Sequence, residues 1–217
     1  MAKGKAATLK GIFGHMLDEV LKVAKKSGRK LDADKLIKGH GKNVAKADHI
    51  SVFKAGKTKN LTGKTDEYVR QLQRQINGIN NMTADELLHN LNTVKRKGLA
   101  QKEAREQYKD HLLDKYTNEY RLQGKTGREA KKLAEERASK EMSTLAALHE
   151  PDIVAGGKDV IGVNPDGLPS MGDKWVNSSI GSQWKQKGLA DNLKRYAEQL
   201  RAAGKGDQLL NVDFILE

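Results

Sequence analysis

Thr83-Ala84-Asp85-Glu86-Leu87-Leu88-His89-Asn90-Leu91-Asn92-Thr93-Val94 is the stretch on which the fold turns. Its first four residues make a capping-box pattern: the threonine hydroxyl serves an early backbone N–H, and the glutamate reaches back. Leu87, Leu88, Leu91 and Val94 then recur at helical spacing toward Gly98. On the N-terminal side, Thr65 is placed to cap a helix carrying Val69, Leu72 and Ile76. On the C-terminal side, Ala104, Tyr108, Leu112, Tyr116 and Tyr120 step every four residues to a stop near Gly124. Thr126-Gly127-Arg128-Glu129 offers a second capping box, followed by a stripe of Ala130, Leu133, Ala134, Arg137, Ala138, Met142, Leu145 and Leu148. An earlier stripe, Leu9, Ile12, Phe13, Met16, Leu17, Val20, Leu21 and Ala24, ends at Ser27-Gly28. Residues 39–64 are Gly- and Lys-rich and read as a loop or linker.

At Pro151 the character changes. All three prolines and six glycines lie between residues 151 and 181. Asn164-Pro165-Asp166-Gly167 has the composition of a tight turn, and Val160, Ile161 and Val163 suit a short strand. A helix is expected from Ser182 to Ala203 with Trp184, Leu193, Tyr196, Ala197 and Leu200 inward, closed by Gly204. Leu210, Val212, Phe214 and Leu216 alternate as a half-buried strand should. The expected fold is mainly α (α+β): a helical bundle with a small β element and a Gly/Pro-rich active-site loop near the C-terminus.

Composition bounds the function. The chain has 217 residues, 37% hydrophobic but only 5% aromatic, so the core is expected to be mostly Leu, Val, Ile and Ala. Cysteine is absent, which excludes disulfides, thiol catalysis and Cys-based zinc sites. No run approaches the ~18 apolar residues of a membrane span, and the start has no signal-peptide pattern. Residues 1–64 hold 16 Lys and Arg against 5 Asp and Glu, a net +11, which leaves +1 for the remainder. The chain is therefore divided into a basic N-terminal helical arm or linker, 1–64, and a domain of residues 65–217. Such a concentrated field suits a polyanion such as DNA, or an acidic protein; a solvated basic arm is the plainer alternative.

The histidines are His15, His40, His49, His89, His111 and His149. Two have an aspartate three residues on. His111 and Asp114 lie within a charged helix, where such a pair is ordinarily a solvated surface pair. His149 continues the stripe of Leu145 and Leu148 at the end of a helix that Pro151 terminates, where the helix dipole favours a protonated imidazole. Asp152 lies just beyond, in the Gly-rich stretch. There the two either do chemistry or form a satisfied buried pair, and spacing does not choose between them. Val176-Asn177-Ser178-Ser179-Ile180-Gly181-Ser182-Gln183-Trp184 runs polar side chains into an expected helix N-terminus, which suits either a phosphate or ordinary capping. Gly156-Gly157 permits close backbone approach but lacks the spacing of a nucleotide motif.

Ala146-Ala147-Leu148-His149-Glu150-Pro151-Asp152-Ile153-Val154-Ala155-Gly156-Gly157, followed by Gly172-Asp173 and by Val176 to Trp184, resembles the HxxD polymorphic-toxin family called novel toxin 15. The resemblance is strongest over about residues 83–217. It implies a C-terminal toxin domain of a bacterial effector, attached to Rhs or PAAR modules and delivered by type VI secretion. It further implies a nuclease, chiefly of DNA, neutralised by a cognate immunity protein and acting in the target cell's cytoplasm. Carried over by position, the family's catalytic pair falls on His149 and Asp152. Asn177, Ser178, Ser179 and Gln183 become phosphate-contacting or supporting candidates. In departure from the family pattern, no PAAR or Rhs sequence precedes the motif, and the chain is therefore expected to be an excised or self-cleaved toxin segment.

In this reading His149 activates water, while Asp152 orients it or holds a divalent cation, Mg²⁺, with Asp159 and Asp173 as possible further ligands. A metal-independent ribonuclease needs mainly a base and an acid and remains an alternative. So does a non-enzymatic basic nucleic-acid-binding protein, which explains the charge but leaves the polar motifs unused. Another hydrolase finds no nucleophilic serine motif such as G-x-S-x-G.

Overall fold

The computed structural model describes residues 36–38 and 48–217. The expected helix of residues 9–24, with His15 and His40, lies outside the described residues. The described elements run β1 (Leu36–Lys38), β2 (His49–Phe53), α1 (Thr65–Asn80), α2 (Ala84–Thr93), α3 (Leu99–Leu122), α4 (Gly127–Met142), β3 (Leu145–Ala147), a 3₁₀ turn (Ile153–Ala155), β4 (Met171–Asp173), α5 (Lys174–Gln186), α6 (Leu189–Ala202) and β5 (Val212–Leu216). Helices dominate, so the mainly α architecture with a small β element holds. No helix among the described residues is long and apolar enough to cross a membrane.

Two short sheets divide the strands. β5 is central in one, antiparallel to β1 and parallel to β2; β3 and β4 pair antiparallel in the other. The alternation of Val212, Phe214 and Leu216 is confirmed, and Ile215 is buried too. β2 corrects the expectation of a loop over 39–64: Ile50, Val52 and Phe53 favour a strand, but the Gly/Lys-rich flanks mask so short a segment. β5 is held from a helix as well. The buried Asn80 amide donates to the Val212 carbonyl at 2.9 Å and accepts from its N–H at 2.8 Å.

The main core joins α1, α2, α5, α6, β2 and β5. Its centre is aromatic rather than purely aliphatic. Phe53 stands edge-on to Trp184, with ring centroids 5.1 Å apart, and Phe214 lies 5.0 Å from Phe53 and 5.7 Å from Trp184. A few large rings thus replace many small side chains. A second cluster, including Leu112, Tyr116, Ala134, Ala138, Met142, Ala147 and Met171, fastens the α3–α4 hairpin to β3 and β4.

Local signals fared unevenly. The Thr83 capping box forms in both directions, with Thr83 N donating to Glu86 Oε2 at 2.8 Å and Glu86 N to Thr83 Oγ1 at 3.1 Å. At Thr126 only half forms: its hydroxyl accepts from Glu129 N, while Glu129 accepts from Lys125 Nζ. Thr65 is the first helical residue rather than the cap, which is Lys64. Val69 faces solvent, and Tyr68, Gln71 and Gln75 share the buried face with Leu72 and Ile76. The expected helix to Leu148 stops at Met142, and Leu145 enters β3. The expected helix Ser182–Ala203 is two helices broken at Gly188, which adopts a left-handed φ of 63°. Val160 and Ile161 form no strand; Val163 makes an isolated bridge to Pro169 across the confirmed Asn164–Gly167 turn.

Phe214→Ala is expected to cost about 3–5 kcal/mol of unfolding free energy, and Val69→Ala less than about 0.5, read by urea denaturation. Burial pushes the His49 imidazole down to about 4 from 6.5. Below pH 6.5 the unfolded chain therefore takes up a proton that the folded one refuses. Stability should fall from pH 6.5 toward 4 by on the order of 2–3 kcal/mol from this residue, and His49→Gln should flatten that slope.

Candidate active site

The residues from Leu148 to Gly162 leave β3 and form a loop pinned on three sides. On the α1 side, Gly78 makes room for Pro151: a Cβ there would stand 2.5 Å from the proline Cδ. Gln75 Oε1 accepts from Asp152 N at 3.3 Å and from the Trp184 indole N–H at 3.0 Å. Arg74 Nε pairs with Glu150 at 2.6 Å, and the same carboxylate accepts from Ser170 Oγ at 2.6 Å. On the α2 side, Asn90 Nδ2 donates to the Gly156 carbonyl at 2.9 Å. On the α5 side, Gly181 leaves space beside Asp152 Oδ2. The Gly156-Gly157 pair lets the loop approach its own chain, since a side chain at Gly157 would collide with the Pro151 carbonyl.

His149 is 5% exposed and Asp152 8% exposed, so both are buried where the loop meets the helices. His149 follows a strand rather than ending a helix, so no helix dipole stabilises its charged form. Burial pushes its pKa below the ordinary value and the Arg96 charge acts the same way, against the hydrogen bond that the ring donates to Asp159 and the charge of Asp152. Its hydrogen-bonding partner is Asp159: Nε2 lies 3.1 Å from Asp159 Oδ1. Asp159 in turn accepts from the Lys97 backbone N–H at 2.9 Å, the largest of the effects that hold its pKa low. An ionised carboxylate only accepts hydrogen bonds, so the Nε2 atom carries the proton and Nδ1 keeps the lone pair. Asp152 is engaged elsewhere: its Oδ1 accepts from Arg96 Nη2 at 3.1 Å and from Val154 N at 3.3 Å, capping the 3₁₀ turn.

The other sequence candidates separate. Val176 to Trp184 runs from the first turn of α5 through its body, and the helix is capped at Asp173 rather than by the serines of that stretch. The Asp173 carboxylate accepts from the N–H groups of Trp175 and Val176, both at 3.0 Å, and pairs with Lys64. A carboxylate thus fills the place expected for a phosphate. Gln183 is buried and ties α5 to the end of β2, exchanging hydrogen bonds with the Lys54 N–H and carbonyl. Ser179 accepts from the Tyr68 hydroxyl at 2.7 Å. Ser178 is exposed and Asn177 half-buried. His111 and Asp114 are exposed on α3, as a surface pair should be.

Among the described residues no three His, Asp or Glu side chains converge to hold a metal ion. Asp173 serves the α5 cap, Asp159 serves His149, and a guanidinium stands against Asp152. Mg²⁺ wants several oxygen ligands, and these residues do not fit a cage for it. Spacing missed Arg96, Gln75 and the Arg74–Glu150 pair because each lies more than fifty residues from its partner in the chain. Lys95-Arg96-Lys97 was legible only as a cationic run.

A family model described as novel toxin 15 matches residues 62–214, over two thirds of the chain. No curated protein matches it.

Asp159→Asn removes an influence that raises the His149 pKa and should move it lower still. Arg96→Gln removes one that lowers it and should move it up. A histidine NMR titration reads both, and shifts of the same sign would contradict this geometry.

Proposed function

The chain belongs to the novel toxin 15 family and carries its toxin domain, and from that premise we propose that it is an antibacterial nuclease acting on target-cell DNA. The observation that carries the reading is the buried imidazole of His149, kept neutral and held by an ionised carboxylate, on a loop pinned to rigid helices. A neutral imidazole with its far nitrogen protonated is a general base at the near one. His149 Nδ1 takes a proton from water as the water oxygen forms a bond to phosphorus. The bond from phosphorus to the leaving sugar oxygen then breaks, that oxygen takes a proton from solvent, and the imidazolium returns its proton to solvent to restore the base. Asp159 orients the ring and stabilises the imidazolium that forms, the part a carboxylate plays behind histidine in other hydrolases. Asp152 shapes the loop and faces Arg96. No step is routed through a metal.

The same reading extends to biology. The toxin travels in a type VI effector with Rhs or PAAR modules, acts in the recipient's cytoplasm, and is held inactive in its producer by an immunity protein. A partner that covers the cationic Lys95–Lys97 segment would be acidic; one that plugs the His149 loop need not be.

Purified protein is incubated with supercoiled plasmid and with total RNA, each with Mg²⁺ and with EDTA. Plasmid loss that falls by about 10²–10⁴-fold in His149→Ala, and changes little in His111→Ala, is the expected result. Asp152→Ala should lose toxicity while remaining folded. Intact plasmid with degraded RNA would reassign the substrate. Both nucleic acids intact, with only a salt-sensitive mobility shift, would favour a binding protein.

A further inference from the structure

We propose that Arg96 grips the scissile phosphate and that Asp152 positions it for that contact. The inference rests on the nuclease reading and supplies what that reading lacks, a positive charge for the negative charge that grows on phosphorus and its oxygens. Arg96 lies in the segment between α2 and α3, and that segment is fixed to the site twice. The Lys97 N–H holds Asp159, the partner of His149, and the Arg96 guanidinium holds Asp152. One short loop therefore touches both carboxylates flanking the histidine.

The pair is asymmetric. The Arg96 side chain is 48% exposed and that of Asp152 11%. A guanidinium carries five N–H donors in a fixed fork, and the contact to Asp152 Oδ1 uses one nitrogen. The fork is thus anchored at its buried side and open at its outer side. It stands close enough that its charge lowers the pKa of both His149 and Asp159. Neighbouring arginines are committed: Arg70 to Glu67 and the Met171 carbonyl, Arg74 to Glu150 and Asn164, Arg105 to the Met142 and Leu145 carbonyls. An anchored planar fork suits a phosphate with two oxygens to offer, where a lysine would supply only a point charge. Asp152 is then a positioning residue, working through Arg96 rather than on the imidazole.

The experiment compares wild type with Arg96→Gln, Arg96→Lys, Asp152→Asn and the Arg96→Gln/Asp152→Asn double variant. It uses a labelled oligonucleotide duplex, with thermal melting as the folding control. Arg96→Gln should lower kcat about 10²–10³-fold with KM within about threefold, and Arg96→Lys should recover no more than about a tenth of the wild-type rate. Asp152→Asn should lower kcat alone yet add less than about threefold in the Arg96→Gln background. Inorganic phosphate, followed by the His149 NMR signal, should perturb wild type and not Arg96→Gln. A folded Arg96→Gln protein with kcat within about threefold of wild type, or with an unchanged phosphate response, overturns the proposal. A wild type that cleaves neither DNA nor RNA overturns the nuclease reading instead, and the phosphate titration then decides the Arg96 site alone.

Discussion

The side-chain carbonyl of Gln75 is the point on which the site and the core both depend. It is buried on α1 and accepts from the Asp152 backbone N–H and from the Trp184 indole at once. The indole belongs to the aromatic centre formed with Phe53 and Phe214, and the N–H belongs to the loop that carries His149. A buried donor without a partner costs about 1–3 kcal/mol, so an apolar residue at 75 would leave two such costs in the same place. The core thus fixes where the loop can lie. Gly78, one turn along the same helix, meets Pro151 and fixes how closely it can approach.

With the loop held, the chemistry follows from opposing effects on one ring. Burial and the Arg96 charge favour neutral His149, while Asp159 and Asp152 favour its charged form. Burial wins, which keeps a lone pair available near neutral pH. In the proposed mechanism the same carboxylates stabilise the imidazolium once it has formed. A base needs both properties.

What the sequence disclosed divides along physical lines. The helices of the middle third were legible because their stripes and caps act over three or four residues; the Thr83 box is a local contract that tertiary structure had no reason to overrule. β2 was not legible, because five residues among glycines and lysines carry too weak a pattern, and only pairing with β5 makes them a strand. The helix drawn through Leu145 and Leu148 failed for a related reason. Those leucines continue a helical stripe by spacing, but Leu145 packs against the second core cluster and Leu148 lies against Gly172 of β4. His149 was singled out by its place beside Pro151, but it follows a strand rather than ending a helix. Arg96 and Gln75 were hidden because their meaning is a contact across the chain; Asp159 was named only as a possible metal ligand and is the partner of His149, while Asp152, the carboxylate that the resemblance favoured, faces Arg96.

The charge distribution read from the sequence takes on a second meaning beside the site. Residues 1–64 carry the excess of positive charge, and the remainder is nearly neutral. If the substrate is a polyanion, as proposed, the nearly neutral domain draws it little by its net field, and long-range attraction falls to the N-terminal third, fading within about 10 Å at 0.1 M salt. In the proposed nuclease, contact at the reacting phosphate is a different task, given to the Arg96 guanidinium that Asp152 holds rather than to the lysines of the N-terminal third. The N-terminal charge would then set how often a nucleic acid arrives. Charge anchored by Asp152 beside a neutral imidazole bears on what happens after it arrives. On this view salt should weaken the first much more than the second, since an ion pair with one partner buried is screened far less than an exposed field.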